Sequence, residues 1–110
     1  MKRQLGTEGR LWAFDVDPTA IEVGRRMENE NPRFRILHRP FGDIGEALAT
    51  TALNGVLMDL GVSSPQLDEN HRGFVSKPMN PNTILDMRMN QEQGITAAEW
   101  LGTVSEEELA

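Results

Sequence analysis

Cysteine is missing from this chain of 110 residues, which removes disulfides and thiolate metal sites at once. Histidine occurs only at positions 38 and 71, too few for a histidine-rich metal centre, although 17 carboxylates leave a hard-cation site open. No run approaches the roughly 20 apolar residues of a membrane-spanning helix. The opening MKRQLGTEG has basic residues but not the apolar stretch of a secretion signal. No membrane association and a cytoplasmic location are the expectations. Internal repeats and low-complexity segments are absent as well. Positive charge is scarce in one half only: residues 1–55 carry 8 basic and 8 acidic side chains, residues 56–110 carry 3 and 9. A phosphate-rich partner would therefore have to meet the first half, or protein outside this chain.

What is present reads as alternating strands and helices. Leu11 to Val16 is a short apolar strand ending at Asp15, and Asp17-Pro18 is a cap with proline in the first helical position. Ala20, Val23 and Met27 recur at helical spacing, predicting an amphipathic helix from Pro18 to about Glu28. Phe34 to His38 is the next strand. Gly42-Asp43 opens a second helix with Ile44, Ala47 and Leu48 on one face. Val56, Leu57 and Met58 read as a third, buried strand that delivers Asp59 to a glycine, serine and proline loop, DLGVSSPQLD. Strand, helix, strand, helix, strand implies a parallel sheet with crossover helices. No glycine-rich phosphate turn accompanies it, because Gly6 and Gly9 have no strand in front of them.

After Asp68 the character changes. Residues 69–83 are loop-forming, with Pro78 and Pro81 opposing regular structure, and Ile84 to Met89 is too short to classify. Thr96 to Glu99 and Ser105 to Glu108 each fit a capping box and mark two helix starts. The second has barely begun at Ala110, which reads as a piece of a longer protein. The expected division is 1–68, a partial α/β binding domain, and 69–110, a connecting loop and the beginning of a helical domain.

Ligands of open parallel sheets bind beyond the carboxyl ends of the strands, so residues there are the candidates for chemistry. Asp59 is the first of them, against the reading of a strand-end cap or ion pair. Asp15 is placed to accept both hydroxyl protons of a ribose, or to cap the helix behind it, a task Asp17 can take instead. Phe41 could stack on a purine or belong to the core. Gln66 could serve a ligand or lie on the surface. Ser63 and Ser64 have no histidine in a relation that would build a nucleophilic triad. Asp68, Glu69 and Asp86 could gather a cation, but nothing in the spacing fixes them. His71 and Arg72 with Gly73-Phe74 either touch a phosphate or splayed base or pin the loop.

GRLWAFDVDPTAI, LMDLGVSSPQLD, RGF, LDMRM and TAAEW occur in this order over residues 9–110. Together they resemble the bacterial ribosomal-RNA cytosine-N4 methyltransferases that act on small-subunit RNA. The resemblance implies a class I methyltransferase: an α/β, Rossmann-like parallel sheet, here partial, with the start of a helical insert domain. It implies S-adenosyl-L-methionine as cofactor, small-subunit ribosomal RNA as partner and methylation of the exocyclic N4 amine of a cytidine. Carried over residue by residue, Asp15 would hold the ribose hydroxyls, Phe41 would lie against the adenine, and Asp59 and Gln66 would complete the cofactor site. Asp59 would also act catalytically as an orienting acceptor for the amine. No metal is implied. The chain departs from the family in its Asn80-Pro-Asn-Thr-Ile-Leu85-Asp-Met loop, where Asp-Gly-Pro-Leu-Asp-Met is usual, and in Asn90, where aspartate is usual. The likeness covers an internal portion, without the first strand and its glycine-rich turn. Two other readings stand beside it: a non-catalytic interaction protein built on half a nucleotide-binding fold, and a nucleoside-binding module without transfer chemistry.

Overall fold

The computed structural model describes residues 6–74 and 82–110. The chain forms two compact units, Met1–Val56 and Leu57–Ala110. The expected helix end at Lys2 to Leu5 and the prolines 78 and 81 lie outside the described residues.

In the first unit, β1 (Leu11–Asp15) and β2 (Phe34–His38) pair in parallel, with Leu11 opposite Phe34 and Asp15 opposite His38. Parallel neighbours need a crossover, and α1 (Pro18–Glu30) supplies it. Asp17 starts the helix by accepting the Thr19 amide at 3.0 Å, with Pro18 in its first turn. The helix stops where Asn31 goes extended, and the Asn31 side chain accepts the Arg33 amide at 3.2 Å to aim the chain into β2. Arg25 donates to the Ile36 carbonyl at 3.0 Å and clips helix to strand.

The helix runs close to its expected length but turns a different face to the sheet. Val23 and Met27 are exposed, whereas Gly24 is buried. A Cβ on Gly24 would sit 2.1 Å from Ile36 Cδ1, so the missing side chain is what lets helix and strand approach. The closest approach, rather than the apolar triplet, sets the rotation. Among the described residues, Phe34, Ile36 and Leu48 are the buried apolar side chains. Beyond β2 the chain makes a 3₁₀ turn at Phe41–Asp43 before α2 (Ile44–Ala47), instead of one helix from Gly42.

Val56, Leu57 and Met58 are not a strand. The sheet among the described residues has two strands, and these side chains are exposed, Leu57 at 90%. A strand exists only through a hydrogen-bonded neighbour and cover for its apolar side chains. This run straddles the boundary of the two units and has neither.

In the second unit, α3 (Ser64–Asp68) leads through a 3₁₀ turn at Asn70–Arg72 to irregular chain. Two short helices, α4 (Ala97–Thr103) and α5 (Glu106–Leu109), begin at the two expected capping boxes. Thr96 accepts the Glu99 amide at 3.1 Å while Glu99 accepts the Thr96 amide at 3.0 Å.

Candidate functional site

The carboxyl edge of the first unit is built by local hydrogen bonds. Asp15 ends β1, and its Oδ1 accepts the Asp17 amide at 2.9 Å. Asp17 is 6% exposed and holds the helix cap, so capping is not the work of Asp15. Among the described residues no hydrogen bond reaches Asp15 Oδ2, which leaves one oxygen of a half-buried carboxylate as an acceptor beyond the strand end.

His38, the register partner of Asp15, lies with Nε2 at 2.9 Å from the Val16 carbonyl. A carbonyl only accepts, so Nε2 carries the proton and donates. That bond ties the end of β2 to the turn after Asp15. Arg39 pairs with Asp43 at 3.2 Å and Glu46 at 3.3 Å, holding the following turn. Phe41 stands on that turn, 56% exposed, and is not a core residue. His38 and Arg39 therefore shape the edge; the sequence marks His38 as a strand end and gives neither residue a part in a site. A histidine closing one strand beside an acid closing the next was the available signal.

The other two candidates belong to the second unit. Asp59 is exposed in irregular chain, two residues before Gly61, whose φ of +141° favours glycine. Gln66 is 4% exposed and accepts the Ser63 amide at 3.0 Å, so it is a buried helix-start residue and not a surface glutamine. Ser63, considered as a hydroxyl nucleophile, sits at that same helix start.

RGF, LDMRM and TAAEW meet around Asp86. Gly73 has a φ of +73°, and a Cβ there would fall 2.1 Å from the Asp86 amide nitrogen. The Met87 amide donates to the Arg72 carbonyl at 3.0 Å, and Arg72, itself buried, donates to the Met89 carbonyl at 2.8 Å. Arg72 thus pins the loop. Asp86 is 8% exposed and accepts from the Arg88 side chain at 2.8 and 2.9 Å. Those bonds hold its carboxyl below its ordinary value, outweighing the burial that pushes the other way. Its backbone carbonyl takes the Ala97 amide at 2.8 Å, which seats α4. Engaged in this way, Asp86 does not gather with Asp68 and Glu69. Among the described residues no group of three or more His, Asp or Glu side chains could hold a metal ion. No helix there is long and apolar enough to cross a membrane.

Two parallel strands joined through a crossover helix make this a mixed α/β protein. The chain belongs to the MraW methylase family, whose model matches residues 2–110. It is 47% identical to a protein of Acinetobacter baumannii named ribosomal RNA small subunit methyltransferase H, over 97% of this chain and 35% of that relative. A protein of the same name in Acinetobacter baylyi is also 47% identical over the same shares. The chain thus spans about a third of the length of these curated relatives. No solved structure matches it.

Proposed function

We propose that this chain carries the cofactor-binding part of a cytoplasmic S-adenosylmethionine-dependent methyltransferase that modifies the N4 amine of a cytidine in small-subunit ribosomal RNA. The observation that carries the reading is the carboxyl edge of the β1–β2 pair. A half-buried Asp15 and, three residues beyond its register partner, an exposed Phe41 stand there in a chain of a methylase family. These two groups suit an adenosine, since a carboxylate accepts from a vicinal diol and an aromatic face stacks on a purine.

In this reading Asp15 holds the ribose hydroxyls and Phe41 lies against the adenine. Asp59 and Gln66 are the second unit's proposed contributions to cofactor binding, Gln66 by fixing the start of α3 and with it the loop after Asp59. Residues 1–68 serve as the binding domain of a Rossmann-like sheet, and residues 69–110 lead into a helical insert that meets the substrate. Bound S-adenosylmethionine supplies an electrophilic methyl group on its sulfonium. The cytidine amine is a weak nucleophile because its lone pair is delocalised into the ring. Asp59 accepts a hydrogen bond from that amine and holds the nitrogen on line, which lowers the orientational part of the barrier.

Methyl-labelled cofactor incubated with the chain and unmodified small-subunit RNA, followed by nucleoside chromatography, tests the reaction. The expected product is N4-methylcytidine, falling at least about 100-fold with Asp59→Ala. Label in any other nucleoside, or no label while cofactor binds, contradicts the assignment.

A further inference from the structure

At the opposite end of the same sheet, Arg10, Trp12, Pro32, Arg33 and Arg35 line a cleft of about 320 Å³. We propose that this cleft binds single-stranded RNA, one base lying against the Trp12 indole and the adjoining phosphates on the three guanidinium groups. The inference rests on the RNA-modifying reading above but concerns a separate place. Arg10 precedes β1 and Arg33 precedes β2, whereas Asp15 and His38 close those strands. Five-residue strands at ~3.3 Å per residue put the two edges about 15 Å apart.

Three observations favour a polyanion with flat bases. First, the chain carries a formal charge of −6, yet no acidic side chain among the described residues lines this cleft. Second, two of the three arginines, Arg10 and Arg33, have no acidic partner among the described residues, and the third shares its partner. Arg33 donates to the Gly6 carbonyl and, at 3.4 Å, to the Gly9 carbonyl, which positions its guanidinium without neutralising it. Glu28 is divided between Arg25 at 2.8 Å and Arg35 at 3.1 Å, so one carboxylate faces two cations. Arg10 is exposed and makes no ion pair among the described residues. Third, Trp12 and Arg35 are register partners, so their side chains leave the same face of the sheet. An indole beside guanidinium groups is the pairing that holds unstacked bases and their backbone. The volume lies in the range of small-ligand sites, roughly 300–1,000 Å³.

Fluorescence anisotropy of a labelled oligocytidine of about ten nucleotides, a length within the usual footprint of single-strand binders, measures the contact directly. Arg10→Glu and Trp12→Leu should each weaken binding on the order of tenfold. Arg10→Glu should also flatten the dependence of log Kd on log salt by about 0.7 or more, and Trp12→Leu should leave that slope unchanged. Circular dichroism confirms that each variant is folded, and Arg10→Glu, on an exposed side chain, serves if the tryptophan variant is not. Titration of the same proteins with S-adenosylhomocysteine separates the two readings. Unchanged cofactor affinity with weakened RNA binding supports the cleft. RNA binding that is indifferent to both substitutions, or absent while cofactor binds, overturns it, and a protein rather than RNA then remains as occupant. RNA binding that depends on Arg10 without any cofactor binding supports the cleft and removes the methyltransferase reading.

Discussion

Asp86 shows how much of the second unit hangs on one carboxylate. Its side chain takes both guanidinium bonds from Arg88, its carbonyl seats α4, and its backbone packs on Gly73. Because its folded pKa is depressed, its stabilisation is fully present above the unfolded value and is lost as pH falls through the folded one. Protection of the Ala97 and Met87 amides from hydrogen exchange should therefore hold at neutral pH and decline below about pH 4. Asp86→Asn should flatten that acid limb. Gly73→Ala should destabilise the same unit by roughly 2–4 kcal/mol, since it adds a left-handed penalty to a backbone clash. A denaturant melt checks it. The motifs RGF and LDMRM are conspicuous in the sequence, but their contact is not, because a glycine signals a left-handed turn without naming what will press against it. Asp15 was more legible: a neighbouring Asp-Pro announced that the cap had another owner. Gln66 was not, since nothing in its local pattern distinguishes a buried capping glutamine from a surface one.

At the level of elements, the sequence located β1, α1, β2 and the starts of α4 and α5, all of which carry local signals: an apolar run, Asp-Pro, or a capping box. The rotation of α1 escaped it because periodicity identifies an apolar stripe, while packing is decided by where the backbone can come closest. Gly24→Ala tests that account. The added methyl improves helix propensity by up to about 1 kcal/mol yet collides with Ile36, so the net result should be a loss of roughly 1–2 kcal/mol. A thermal melt of Gly24→Ala beside Val23→Ala, at an exposed position where little change is expected, provides the comparison. The run before Asp59 failed differently. Its composition meets every local requirement of a strand, and what it lacks is a neighbour.

For the whole molecule, the matched family and the 97% coverage of this chain stand against 35% coverage of the relatives. The two units contribute different things: the first an edge with Asp15 and Phe41, the second the Asp59 loop and the Asp86 cluster that holds α4. The uneven charge also acquires a structural meaning, since the acid-rich half lies in the second unit and the arginine-lined cleft in the first. In the proposed function the edge of the first unit reads an adenosine through Asp15. Calorimetric titration of the 110-residue chain with S-adenosylhomocysteine, beside Asp15→Ala, tests it most directly. Saturable one-to-one binding is expected, weakened on the order of 10–100-fold in the variant by loss of charge-assisted hydrogen bonds. Equal affinity in the two folded proteins, or no binding to either, would contradict it.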